Sequence, residues 1–266
     1  MLKSNKSNKS KLLSWVITLT LIFSSFMGIG PIPIANADGT KTFDLVEITD
    51  FHGQLLDSTN TKPVGAALAY VVKGVKALNP DRTLIIGGGD LYQGTPVSNV
   101  LRGVPVQQVL SNIGMEVTAL GNHEFDWGLD VINNQTMVGA GYSIVCANMY
   151  NKGTDVRPYA PYKIISKDGV KIAVIGAILK DAPNIIMPAL VAPFDFKDPA
   201  TEINTVAKEI RDGNLADIVL ADVHDGGASL NTMVNNLHGV DAVFGGHSHT
   251  SYDDVNKDAD GKDVPT

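Results

Sequence analysis

At 266 residues the chain is long enough for one large domain or two small ones, each with ample core. An apolar share of 44% and a mean hydropathy near zero fit a soluble globular protein and exclude a polytopic membrane protein. The formal charge is −7, and setting aside residues 1–37 leaves seventeen basic against twenty-eight acidic residues, so a nucleic-acid polymer finds no general electrostatic hold here.

The chain opens as an export signal. Lys3, Lys6, Lys9 and Lys11 form a basic stretch, Leu12 to Gly30 is almost wholly apolar, and Ala35-Asn36-Ala37 gives a small-x-small cleavage pattern before Asp38. Residues 1–37 are therefore expected to be a signal peptide. The apolar run is also long enough to approach a membrane span, so an uncleaved anchor is the rival. The single cysteine, Cys146, cannot form an internal disulfide and reads as a buried, inert thiol.

From Phe43 onward, short β-rich runs alternate with helix-like stretches. The alternation of Phe43–Thr49 predicts a strand, and Val64–Leu78 has helical spacing closed by Asn79-Pro80. A strand over Thr83–Ile86, a helix over Val104–Ile113 and a strand over Val117–Leu120 follow, then a helix over Leu129–Val138 and an extended Ser143–Ala147. Pro161–Ser166 and Val170–Ala177 flank Lys167-Asp168-Gly169, a hairpin signal. Pro199–Arg211 is predicted helical, Asp217–Ala221 a strand, Ser229–Leu237 helical and Asp241–Phe244 a last strand. This order predicts an α/β protein with helices covering a sheet and some antiparallel pairing.

The chemistry-bearing residues follow these strands within a few positions. They are Asp50-Phe51-His52, Gly89-Asp90, Asn122-His123-Glu124-Phe125-Asp126, His224-Asp225 and His247-Ser248-His249, and they hold five of the six histidines. Loops at the carboxyl ends of strands share one rim of an open α/β sheet, so these residues are expected to converge. In Asp50-x-His52 an extended segment would point both side chains to one ion. His247-x-His249 either repeats that arrangement or diverges to two ions. Mixed imidazole and carboxylate ligands suit Zn, Mn, Fe or Co better than Ca. Asn122 also reads as a helix N-cap, and Asp126 as an acid favoured in a first turn. Glu124 reads as structural, and His238 as an exposed residue ending a helix. Near the end, Asn256-x-Asp258-x-Asp260-Gly261 matches the opening of a calcium loop but reads better as an acidic hairpin.

Taken in order, Thr49-Asp50-Phe51-His52-Gly53, Gly89-Asp90-Leu91-Tyr92-Gln93-Gly94-Thr95-Pro96, Gly121-Asn122-His123-Glu124-Phe125-Asp126-Trp127-Gly128 and Gly245-Gly246-His247-Ser248-His249-Thr250 resemble the calcineurin-like metallophosphoesterases, in particular their secreted 5'-nucleotidase branch. The resemblance implies a layered α/β-β-α sheet sandwich flanked by helices. It implies two divalent ions, one held by Asp50, His52 and His249, the other by Asn122, His224 and His247, with Asp90 bridging them. A bridging water or hydroxide would be the nucleophile, His123 would stabilise the transition state and help the leaving oxygen depart, and Asp126 would orient His123. Two cations about 3.5–4 Å apart acidify a shared water and clamp an in-line displacement, so the physics agrees.

Two departures stand out. His224 follows Val223 where the family usually has serine or threonine. The chain also stops at Thr266, before the family's second, base-gripping domain. Residues 38–266 are thus expected to be a catalytic domain that is incomplete at its C-terminus and lacks the substrate-binding domain. The expected activity is hydrolysis of extracytoplasmic nucleotide monoesters. A cyclic-nucleotide phosphodiesterase or nucleotide-sugar hydrolase is the alternative on the same site, with a thiosulfate-ester hydrolase further behind. A metal-containing surface binding module without turnover is the rival of another class. The expected partner is a small phosphoester, with no stable membrane insertion after signal cleavage.

Overall fold

A continuous run of Leu and Ile builds an inner strand of the first sheet, because a strand covered on both faces needs apolar residues throughout. Strands β1 (Asp44–Ile48), β2 (Thr83–Gly87), β3 (Val117–Ala119) and β4 (Ser143–Val145) lie parallel in that order. β2 is buried at all five positions. Its alternation sends Ile85 to the outer side, where helices α1 (Val64–Leu78) and α2 (Val104–Ile113) bring Val72, Leu110 and Ile113 against it. Leu84 and Ile86 face the other way. Gly114 closes α2 in the left-handed conformation at φ 87°, its N–H bonding back to Leu110 O.

The second sheet runs β10 (Ala242–Gly245), β9 (Ile218–His224), β7 (Val170–Ile178) and β6 (Tyr162–Lys167). The first two pairings are parallel, and β6–β7 is the antiparallel hairpin that Asp168-Gly169 predicts. Both turn residues have positive φ, 45° and 78°, as a two-residue hairpin turn demands. Helices α3 (Pro199–Asp212) and α4 (Gly227–Val234) cover its outer face, packing Ile203, Val206, Ile210 and Leu230 on Ala173, Ile175, Val219 and Ala221. Asp198 caps α3 by accepting from Thr201 N at 3.0 Å.

Between the sheets lies a third apolar cluster, Leu84, Ile86 and Val117 from one and Ile172, Val174 and Leu220 from the other. The layers therefore run helix, sheet, sheet, helix, the α/β sandwich expected from the motifs. The computed structural model describes residues 40–251 and 254–266. Phe43–Thr266 forms one compact unit, and of the preceding unit only the irregular residues 40–42 are described. The expected signal peptide lies outside the described residues. Among those described, no helix is long and apolar enough to cross a membrane.

Three expectations change. Leu129–Val138 is not one helix: a short turn at Leu129–Val131 widens over Ile132–Thr136, where Met137 N reaches back five residues to Ile132 O at 2.9 Å. α4 ends at Val234, so His238 lies beyond it, with Nδ1 3.0 Å from Asp260 Oδ1. Two ribbons also join the fold, β5 (Met149–Asn151) with β8 (Phe194–Phe196) and β11 (Val255–Lys257) with β12 (Asp263–Pro265). The second carries the acidic hairpin; Asp258 Oδ1 accepts from its own turn, Asp260 N at 2.9 Å and Lys262 N at 2.8 Å. Cys146 is fully buried, which pushes its thiol up to about 12.

Candidate metal centre

The loops leaving β1, β2, β3 and β10, with the last residue of β9, carry the predicted site residues, and backbone bonds lace the loops together. Asp50 N donates to Gly89 O at 3.1 Å and His52 N to Asp90 O at 3.0 Å, so the β1 loop lies along the β2 loop. This overturns the extended reading of Asp50-x-His52. β1 ends at Ile48, and Asp50 and His52 both turn into the left-handed region, at φ 50° and 48°. Asp90, His247 and His249 do the same at 52°, 66° and 52°. Side chains converge because the backbone curls, at a conformational cost that ordinary loops avoid.

Two clusters result. In the first, His249 Nε2 lies 3.2 Å from Asp50 Oδ1 and 3.1 Å from His52 Nε2. In the second, His224 Nε2 lies 3.0 Å from Asp90 Oδ2 and 3.2 Å from Asn122 Oδ1, with the His247 ring 5.2 Å from the His224 ring. His247 and His249 therefore diverge, one to each cluster. Asp90 Oδ2 also stands 4.0 Å from His52 Nε2, which sets it between the two. Asn122 makes no side-chain cap bond to the turn it begins, leaving its carboxamide oxygen to face His224.

These residues fit cations. His52 Nδ1 donates to Gln93 O at 3.0 Å and His224 Nδ1 to Gly88 O at 2.7 Å. Carbonyls can only accept, so each Nε2 turns a lone pair, or a titrating proton, toward the cluster. Asp50 Oδ2 is satisfied by Thr49 Oγ1 and His247 N, whereas Oδ1 is buried without a hydrogen-bond donor. An orphaned anionic oxygen facing two imidazoles is costly without a positive charge beside it. Burial opposes charge on His224, yet the Asp90 bond and carboxylate outweigh it and push the imidazole up to about 9. A metal ion would take the place of that proton.

His123 stands beside the first cluster, its ring 5.1 Å from that of His52. Its Nδ1 is 2.8 Å from Asp126 Oδ2, which engages one ring nitrogen and leaves Nε2 available. Burial would lower its pKa, but the Asp126 bond and the Asp90 charge raise it. Glu124, buried at 2% exposure, accepts from Asp90 N, Leu91 N and Gly121 N at 2.8, 2.9 and 2.8 Å. Burial and the Asp90 charge push it up to about 7, against the Leu91 and Asp90 N–H bonds that pull it down.

The calcineurin-like phosphoesterase family model matches residues 44–251, a span that takes in all the residues of both clusters. The chain belongs to this family. It is 32% identical over 226 residues to a 5'-nucleotidase of Vibrio cholerae, covering 83% of this chain and 40% of that one. It is 29% identical over 265 residues to the cell wall protein Lmo0130 of Listeria monocytogenes, covering 80% and 34%. The crystal structure of a 5'-nucleotidase precursor from Thermus thermophilus shares the fold, with a TM-score of 0.71 at 24% identity over 84% of this chain and 48% of that one. The chain thus spans about 40% of the length of the nucleotidase it matches in sequence.

Within this phosphoesterase scaffold the structure brings together all nine predicted site residues. Glu124 is structural, as its sequence context suggests, but its three amide partners and the carbonyls of Gly88 and Gln93 have no sequence signature. A backbone donor or acceptor has no side-chain signature, so the partners of a structural glutamate or of a ligand imidazole cannot be read from residue types. A groove of about 920 Å³ opens beside His247 and Asp225, lined also by Lys180, Thr201, Asn204 and Ser229.

Proposed function

We propose that this chain is the catalytic part, residues 38–266, of an exported phosphohydrolase that uses two divalent cations to cleave nucleotide monoesters outside the cytoplasm. The observation that carries the reading is Asp90 Oδ2, which lies 3.0 Å from His224 Nε2 and 4.0 Å from His52 Nε2 and so serves both clusters. Asp50, His52 and His249 would hold one ion and Asn122, His224 and His247 the other; Zn, Mn, Fe or Co suits this donor set. When bound, such a pair acidifies a water and neutralises the phosphoryl oxygens.

The chain's own residues supply the rest. Asp126 orients the His123 ring through Nδ1 and helps raise its pKa, which suits Nε2 to give a proton to the departing oxygen. Gln93 O and Gly88 O hold the His52 and His224 rings with Nε2 inward. Export rests on the basic and apolar stretches of residues 1–37 and is supported by the likeness to a Listeria cell wall protein. Nucleotides as substrates rest on the likeness to the Vibrio 5'-nucleotidase.

The test is phosphate release from AMP by the purified chain with Mn or Zn, against a chelated control. Metal-dependent release supports the proposal; tight binding of two ions without turnover of any phosphoester would instead mark a binding module. The groove favours a second reading, a phosphodiester such as a cyclic nucleotide or nucleotide sugar. It opens beside His247, whereas His123 stands beside His52, which leaves room for an ester arm that does not depart.

A further inference from the structure

We infer that Glu124 is a positioning residue that sets the spacing between Asp90 and Asn122 and thereby the separation of the cation pair. This rests on the proposed two-cation site but assigns a task that no ligand performs. One oxygen, Oε2, accepts from Asp90 N and from Gly121 N, so a single atom ties the β2 loop to the β3 loop. The other, Oε1, accepts from Leu91 N and fixes the carboxylate's rotation. One tied amide is that of Asp90 itself, and Asn122 follows directly on the other.

The loops need such a tie because they touch. A Cβ at Gly121 would collide with Asp90 Oδ1 and Asp90 N, so only glycine permits the approach. Asp90 Oδ1 in turn accepts from His123 N at 2.7 Å, which aims Oδ2 at the clusters. Any shift between the loops therefore moves the bridging oxygen against the Asn122 oxygen. A carboxylate suits the place better than an amide. It offers acceptors on both oxygens, whereas glutamine would set its NH₂ against an N–H donor. Aspartate would fall one methylene short.

The experiment is a Mn²⁺ titration of the full chain and its Glu124→Gln variant, followed by calorimetry and by the exchange-coupled signal of paired Mn in electron paramagnetic resonance. The wild type should bind two ions and show the coupled signal. Glu124→Gln should bind at least one ion about 10–100-fold more weakly, and its spectrum should revert towards isolated Mn. A variant that melts earlier yet keeps both affinities and the coupled signal would show a structural role only and overturn the inference. If Glu124→Gln does not fold, Glu124→Asp is decided on the same two readouts. A wild type that never binds a second ion would defeat the two-cation reading itself, a result visible before any variant is made.

Discussion

In the proposed mechanism, His123 is the residue on which turnover and binding part company. It touches no ligand cluster through a carboxylate, and its contact with the site is the ring of His52 and a backbone N–H to Asp90. His123→Ala removes the proton donor while leaving that N–H in place. It should keep both ions in a metal titration and lose about 10²–10⁴ in kcat. An unchanged kcat would remove His123 from the mechanism. The candidate ligands were legible in the sequence because imidazoles and carboxylates are rare together at strand ends. Their geometry was not: the spacing of Asp50 and His52 suggests an extended pair, and only bonds to the neighbouring loop reveal the curl.

Among the elements, Asp241, just before β10, joins three of them. It accepts from Val219 N of β9 at 2.8 Å and pairs with Arg211 of α3 and Lys262 of the β11–β12 ribbon. Burial would raise its carboxyl, but the Lys262, Val219 and Arg211 bonds lower it. An acid depressed in the fold gives stability that is present above its unfolded pKa of about 3.9 and fades as pH falls through the folded value. Asp241→Asn should cost about 1–2 kcal/mol near pH 7, a discounted figure because the side chain is 31% exposed. In urea melts the gap from wild type should close at the acid end; a gap independent of pH would refute the linkage. The long elements were readable because periodicity sums over many residues: α1 and α2 fall on their predicted bounds. The β5–β8 ribbon was not, because each strand is three residues long and its partner lies more than forty residues away, so no local pattern encodes the pairing.

For the molecule as a whole, each cluster is assembled across the two sheets. Asp50, His52, Asp90 and Asn122 come from loops of the first, and His224 at the end of β9 with His247 and His249 beyond β10 from the second. Bound ions would therefore add a cross-link to layers already joined by apolar packing around Leu84, Val174 and Leu220 and by pairs such as Lys167–Glu116. One site filled at a hundredfold excess over its Kd adds about 2.7 kcal/mol, or a Tm rise of about 5–10 °C for a domain of this size. Melting with Mn²⁺ and then with chelator checks this, and an identical Tm in both would mean that no ion spans the sheets.

The left-handed ligands set stability against function in evolution. At His249, which is 59% exposed, glycine would relieve the backbone and forfeit little packing. Glycine there should raise metal-free stability by about 0.5–1 kcal/mol while weakening the first ion. Selection of this protein for heat resistance alone, with metal withheld, would thus favour variants that have discarded their catalyst, and a screen that keeps metal present would reject the same variants.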